Sequence, residues 1–188
     1  MNRLTFAAIF AALSLIQLTP LQAATFLYRI QGIGDGNLNG QTFVASPFTV
    51  SALADSNDVF YSPSTGYPNI AATTRVAVGG FGAGEFTNPI LVVANQDSPS
   101  TGFGDFTLNR AIIFVRSSSL AGYGLTTPIG PIAGFADFNG SQTFPTTAGA
   151  FSLSNVISAS FEAIRVPEPS SLALLGFAAI ATTRRTRR

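Results

Sequence analysis

Hydrophobic and polar residues alternate along much of the middle of the chain. In the stretch PFTVSALA, Phe48, Val50 and Ala52 fall on one side of an extended chain, and Thr49 and Ser51 fall on the other. The stretches TFLYRI, RVAVGG, ILVVAN, AIIFVR and ISASFEAIRV are rich in β-branched and aromatic residues. The pattern predicts many short strands and little helix.

The connections between these stretches have the composition of turns. They read DGNLNG, SPSTGYPN, GGFGAGE, QDSPSTGFGD and DFNGSQ. Short strands joined by such turns predict an all-β fold, an antiparallel β-sandwich or jelly-roll. We expect residues 24–165 to form one passenger domain, with most of its phenylalanines between two sheets. We also expect its first and last strands to pair, which would bring its two ends together.

The first 23 residues have the pattern of a signal peptide helix. Arg3 supplies a positive charge, residues 4–18 form the apolar run LTFAAIFAALSLIQL, and Pro20 follows that run. Cleavage is then expected between Ala23 and Ala24. The pattern predicts export, with signal peptidase as a partner.

Residues 166–188, VPEPSSLALLGFAAIATTRRTRR, form a distinct tail. Pro167 and Pro169 flank Glu168 and block regular structure. The apolar run LALLGFAAIA predicts a short hydrophobic helix; over residues 170–183 it would measure about 21 Å, against a bilayer core of about 30 Å. A cluster of arginines follows, and such clusters are retained on the cytoplasmic side of a membrane: Arg184, Arg185, Arg187 and Arg188. The tail therefore predicts a temporary membrane anchor.

The order of Pro-Glu-Pro step, short apolar helix and arginine cluster resembles the PEP-CTERM sorting signal of exported bacterial proteins. The resemblance implies processing at or beside Pro167-Glu168-Pro169 by an exosortase, a membrane protease-transpeptidase. It also implies a Gram-negative envelope, transient anchoring in the inner membrane, and then the cell surface or the exterior. Proteins with this tail are frequently associated with exopolysaccharide production. The resemblance implies no activity for the passenger domain.

Composition excludes several kinds of chemistry. The chain has no cysteine, histidine or lysine. It therefore lacks thiolate and imidazole ligands for zinc and the usual nucleophile–base pairs, and we expect no cofactor and no enzymatic activity. Residues 24–165 carry five arginines and eight acidic residues, so five minus eight gives a net charge of −3. This region has no basic patch that would attract nucleic acid.

One motif is related to calcium binding. Asp35, Asn37 and Asn39 are followed by Gly40, which matches the first half of an EF-hand loop. Ser46 stands where that loop requires a bidentate glutamate, and the pairs Asp-Gly and Asn-Gly are common in hairpins. We expect a hairpin turn without calcium and keep Asp35, Asn37 and Asn39 as weak metal candidates.

Three functions remain open for the passenger. The leading hypothesis is a non-enzymatic protein of the cell surface or extracellular matrix, linked to exopolysaccharide or biofilm. The alternative is a carbohydrate-binding module of that matrix, with calcium assistance left open. In that case Tyr61 and Tyr67, which flank SPSTG, could stack on a sugar ring. A glycosidase with a pair of carboxylates ranks third.

Overall fold

The computed structural model describes residues 24–140 and 142–167. Within them the chain forms eleven strands and two single-turn 3-10 helices, Ser56–Asp58 and Ser118–Leu120. The strands are β1 (Thr25–Leu38), β2 (Gln41–Asp55), β3 (Tyr67–Ile70), β4 (Thr73–Val78), β5 (Gly82–Glu85), β6 (Ile90–Asn95), β7 (Ser100–Asp105), β8 (Arg110–Arg116), β9 (Ile129–Phe138), β10 (Phe144–Thr146) and β11 (Gly149–Arg165).

Two predicted helices, the signal peptide of residues 1–23 and the apolar helix of the tail, lie outside the described residues. In the portion of the chain that the structure covers, no helix has the length and apolar character needed to cross a membrane.

The strands form one antiparallel sheet that curls on itself. Their order is β3-β6-β7-β8-β9-β11-β1-β2-β4-β5, and β10 pairs with β11 outside this path. Strand β9 joins the two halves, because residues 135–138 pair with β8 and residues 129–134 pair with β11. The predicted all-β, antiparallel class is confirmed. A continuous curled sheet, with one core shared by its two halves, gives the sandwich-like arrangement.

The first and last strands pair along their whole length, as the sequence predicted. The register runs from Phe26 opposite Arg165 to Leu38 opposite Phe151. Strand β1 is also paired with β2 on its other edge, so it lies inside the sheet. Alternate residues of β1 point into the core, where Tyr28 and Ile30 are fully buried. The two ends of the domain therefore meet on neighbouring strands.

Aromatic rings fill much of the core. Tyr28 packs against Phe161 with ring centroids 6.5 Å apart, and Tyr123 packs against Phe161 at 5.8 Å. The hydroxyl of Tyr28 donates a hydrogen bond of 2.5 Å to the carbonyl oxygen of Leu125, which satisfies the buried polar atom. Burial raises the pKa of Tyr28 to about 12.

The prediction that most phenylalanines of the domain fill the core is confirmed, because ten of the 14 between Phe26 and Phe161 lie in the core or against it. Seven are buried, namely Phe26, Phe43, Phe48, Phe103, Phe144, Phe151 and Phe161, and three are partly buried against the core, namely Phe81, Phe86 and Phe138. Phe60, Phe106 and Phe135 are instead exposed, by 52%, 63% and 72%. These three lie on a loop, on a turn and on the outer side of β9, where nothing described covers their rings.

Three stretches that were expected to be turns contain all or most of a strand. QDSPSTGFGD includes β7, GGFGAGE includes β5, and SPSTGYPN includes the first three residues of β3. In β7, Gly102 permits close packing, because a Cβ there would lie 2.1 Å from the carbonyl oxygen of Ile113 and 2.8 Å from the ring of Phe114. Glycine thus marks a close approach of the neighbouring strand here, not a break in the sheet.

Candidate functional site

The two ends of the passenger domain lie side by side. The amide of Val166 donates a hydrogen bond of 2.9 Å to the carbonyl oxygen of Thr25. The amide of Ser56 donates to the carbonyl oxygen of Ala24 at 3.0 Å, and the amide of Ala24 donates to Ser56 Oγ at 3.2 Å. Pairing with β1 therefore continues to the residue before Pro167, which is exposed and has no amide hydrogen to donate.

An ion pair joins the same two strands further along. Arg29 of β1 lies opposite Glu162 of β11, and its Nη2 is 2.6 Å from Glu162 Oε1. Arg29 Nε also donates to that oxygen at 2.7 Å. Charge-assisted hydrogen bonds of this kind hold the register of the strand pair near the two ends of the domain.

The described residues include two of the predicted processing residues. Ala24 and Pro167 lie at the paired ends of the domain. The other predicted processing residues fall outside the described residues: Ala23, Glu168, Pro169, Arg184, Arg185, Arg187 and Arg188.

The DGNLNG stretch forms the hairpin between β1 and β2, as predicted. Asn39 and Gly40 are the two turn residues, with φ values of 54° and 78°, and positive φ at both positions is the mark of a type I′ turn. The amide of Gly40 donates to Asn37 Oδ1 at 2.7 Å. Asn37 thus has a structural role in the turn.

Asp35 supports an irregularity in two neighbouring strand pairs. Ala45 has a φ of 44°, and the β1–β2 register slips beside it. The Ala45 amide donates to Asp35 Oδ1 at 2.7 Å, and Asn155 of β11 donates to Asp35 Oδ2 at 3.0 Å. These bonds, with that of Ala45 the larger cause, lower the pKa of the Asp35 carboxyl. Both carboxylate oxygens therefore have partners within the domain.

An open groove lies over the outer face of β6, β7 and β8. Its volume is about 470 Å³, within the range of small-ligand sites. The floor is formed by side chains that point away from the core and by one glycine: Leu91, Val93, Gly104, Ala111 and Phe114. Leu91, Gly104 and Ala111 are direct neighbours across the three strands. Gly104 has no side chain, so the floor is lowest there. A Cβ placed at this position would meet only the carbonyl oxygen of Arg110, at 3.4 Å.

Exposed rings and small polar groups border this groove. Phe60 comes from the connection between β2 and β3, and Phe106 comes from the turn between β7 and β8. Five uncharged polar side chains line it, namely Ser62, Ser64, Thr65, Asn95 and Asn109. Two charged residues also line it.

The loop beside the groove is held in shape by its own contacts. The amide of Ser62 donates to the Gly66 carbonyl oxygen at 2.7 Å, and the Gly66 amide donates back to the Ser62 carbonyl oxygen at 2.8 Å. Tyr61 and Tyr67, the tyrosines that were considered as sugar-stacking candidates for a carbohydrate-binding module, pack against each other with centroids 5.4 Å apart. The neighbouring Phe60 supplies the exposed ring at the groove.

The two charged residues at the groove have different surroundings. Asp105 is buried, and its oxygens accept from the Leu108 amide and from Asn88 Nδ2, each at 2.8 Å. Arg110 is exposed and donates to Gln142 Oε1. Among the described residues that line the groove, Asp105 is the single acid.

Sequence reasoning missed Phe60, Gly104 and Phe106. Gly104 lies in QDSPSTGFGD, whose composition indicated a turn, and Phe60 and Phe106 lie outside every stretch that was assigned to a strand or a turn. The available signal was a phenylalanine surrounded by polar residues in a turn, as in GDFTLNR. An aromatic ring in such a place gains little from the core and is a candidate for contact with a ligand.

The comparisons with known proteins identify the tail. A family model described as the PEP-CTERM protein-sorting motif matches residues 165–188. The chain therefore carries this sorting motif, and the resemblance seen in the sequence is confirmed. The motif implies export, membrane-associated sorting and processing by an exosortase. No curated protein and no solved structure matches the chain.

Proposed function

We propose that this chain is an exported, non-enzymatic protein of the cell surface or extracellular matrix of a Gram-negative bacterium, delivered there through its C-terminal tail. The observation that carries the proposal is the place where the sorting motif begins. Its match starts at Arg165, the last residue of β11, and Val166 is still bound to Thr25. The folded domain thus leads directly into the Pro-Glu-Pro step, with the exposed Pro167 as its first residue.

The N-terminal end fits the same scheme. Signal peptidase would cut between Ala23 and Ala24, and Ala24 is held against Ser56 beside the start of the tail. The apolar part of the tail then anchors the chain in the inner membrane until the exosortase acts. Association with exopolysaccharide or biofilm matrix is the destination that we propose for the released domain.

The arginine cluster offers a test of this proposal. If Arg184, Arg185, Arg187 and Arg188 act as a positive-inside stop, replacing all four with Lys should leave processing intact. Replacing all four with Ser should let the short apolar run pass through the membrane with the tail attached. Cell fractionation and intact-mass analysis of both variants measure this. Normal removal of the tail in the Ser variant would contradict the role of the cluster.

The proposal of a non-enzymatic domain rests on the side chains available. The chain has no cysteine, histidine or lysine, and the acid at the groove, Asp105, is engaged by Leu108 and Asn88. A carboxylate with both oxygens bound to neighbouring groups is poorly placed to act as a nucleophile or as a general base.

The second candidate is a carbohydrate-binding module of the same matrix. It is favoured by the two half-exposed phenylalanine rings, Phe60 and Phe106, that border a groove of ligand size. Binding to soluble oligosaccharides by the purified protein, measured by calorimetry, tests this candidate. Absence of binding to any of them would exclude it and leave the sorting proposal untouched.

Calcium assistance of such a module is tested separately. Because the oxygens of Asp35 are bound to Ala45 and Asn155, we expect thermal unfolding with calcium and with a chelator to coincide. A melting temperature that rises by several degrees in calcium would show that the folded domain binds the ion, and loss of that rise in Asp35→Asn would assign it to the hairpin of Asp35, Asn37 and Asn39.

A further inference from the structure

We propose that the groove over β6, β7 and β8 binds a segment of a polysaccharide chain, with Phe60 and Phe106 stacking on sugar rings above the open floor at Gly104. This inference rests on the second candidate function and names the site at which it would operate. Nothing in the sequence pattern assigned these three residues to a site.

The lining has the two kinds of group that a sugar ring requires. A pyranose ring presents C–H faces, which pack on aromatic rings, and hydroxyl groups at its edge, which exchange hydrogen bonds. Phe60 and Phe106 are 52% and 63% exposed, although water is an unfavourable environment for a large ring. Serine, threonine and asparagine side chains lie next to them and can both donate and accept.

The shape of the floor depends on Gly104. Its neighbour in β7, Gly102, is covered by the ring of Phe114, whereas no side chain lies within 4 Å of a Cβ placed at Gly104. The groove is bordered by the loop of Ser62–Thr65 and by the turn after β7, and it is open to solvent between them. An open groove with a low floor suits a stretch of a longer polymer better than a small enclosed ligand.

Both borders of the groove are organised before any ligand binds. The Ser62–Gly66 hydrogen bonds fix the loop, and the Asp105 carboxylate fixes the turn through the Leu108 amide. A site whose walls are already ordered loses less conformational entropy on binding. This order separates the groove from an accidental gap between mobile loops.

The test compares two glycine variants of the processed protein. Gly104→Val fills the floor, yet its Cβ has room and its backbone is outside the left-handed region, so folding should be unaffected. Gly124→Val is the matched control, because nothing lies within 4 Å of a Cβ there and its φ is also acceptable for valine. Thermal unfolding of both variants verifies that each is folded.

Calorimetric titration uses two probes, a neutral glucan hexamer and a uronic-acid hexamer. We expect wild type and Gly124→Val to bind at least one probe equally, and Gly104→Val to lose affinity at least about tenfold. Phe60→Ala and Phe106→Ala should each weaken binding by a similar factor, as aromatic anchors do. Tighter binding of the uronic-acid probe, lost in Arg110→Gln, would assign an acidic polymer; equal binding would assign a neutral one.

Two results overturn the inference in different ways. If the wild type binds a probe and Gly104→Val binds it equally well, the sugar site is elsewhere and the carbohydrate-binding candidate survives. If the wild type binds neither probe at millimolar concentration, the groove is not a polysaccharide site and the candidate function fails with it. Neither result bears on sorting through the tail.

Discussion

The strands that carry the ends of the domain differ from the strands beneath the groove in how many of their faces are covered. In β1 the residues alternate strictly, with Tyr28 and Ile30 buried and Leu27 and Arg29 half-buried on the other side. In β7 every residue except Gly104 is buried. The outer face of β7 is covered at Gly102 by the ring of Phe114 from β8, and the groove lies over Gly104.

The difference separates two tasks within one sheet. The β1–β11 pair closes the domain and presents the start of the sorting motif, so its residues should matter mostly for stability and processing. The exposed residues that border the groove over β6, β7 and β8, such as Phe60 and Phe106, lie outside the core. They should therefore matter mostly for binding. Changes in each region should therefore have different consequences.

Truncation of a ring in each region should give the largest contrast. Phe161 of β11 is fully buried between Tyr28 and Tyr123, and Phe161→Ala should lower the free energy of unfolding by about 3–5 kcal/mol. Phe106→Ala should change it by less than about 0.5 kcal/mol, because that ring is mostly exposed. Urea unfolding measures both. Equal destabilisation would mean that the groove belongs to the core.

The next prediction concerns the buried tyrosines beside the β1–β11 pair, which an alkaline titration tests. The pKa of Tyr28 is raised to about 12, chiefly by burial, from an ordinary value of 10.0. Because the folded state retains the proton longer, the stability of the wild type should fall as pH rises from 10 to about 12. Burial and the proximity of Tyr28 also raise the pKa of Tyr123. Tyr28→Phe should show a smaller fall over this range, and an unchanged slope would contradict this description of the core.

Acidification should have the smallest effect on stability, and this effect should come from Asp35 in the hairpin of β1 and β2. The pKa of Asp35 is lowered from 3.8 by the Ala45 amide and by Asn155. The stabilisation is therefore present above the ordinary pKa and is lost as pH falls through the lowered value. Asp35→Asn should make the acid limb of a stability–pH curve shallower, and Asn155→Ala should do so only in part. Identical curves for the three proteins would show that Asp35 does not support the strand irregularity.

Local sequence patterns were sufficient to predict the strands around the β1–β11 pair and insufficient to predict the groove. Alternation placed Phe48, Val50 and Ala52 of β2 correctly, and all three are buried. It did not predict the slip at Ala45, because that slip depends on Asp35 of the neighbouring strand. Strand β9 was not predicted, because its glycines and proline resemble a turn.

The groove depends on contacts between segments that are distant in the sequence. Phe60 and Phe106 come from two separate connections of the chain and border the same groove, and no short window of sequence contains that information. The tail is the reverse case. Its Pro-Glu-Pro step, apolar run and arginines are consecutive, so its order alone was informative.

The most direct test of delivery through the tail is the intact mass of the protein recovered from the surface or medium of its native host. The account predicts a chain that begins near Ala24 and lacks the arginines of residues 184–188, with its C-terminus at or beside the Pro-Glu-Pro step. Recovery of the full-length chain there, with both ends intact, would contradict it.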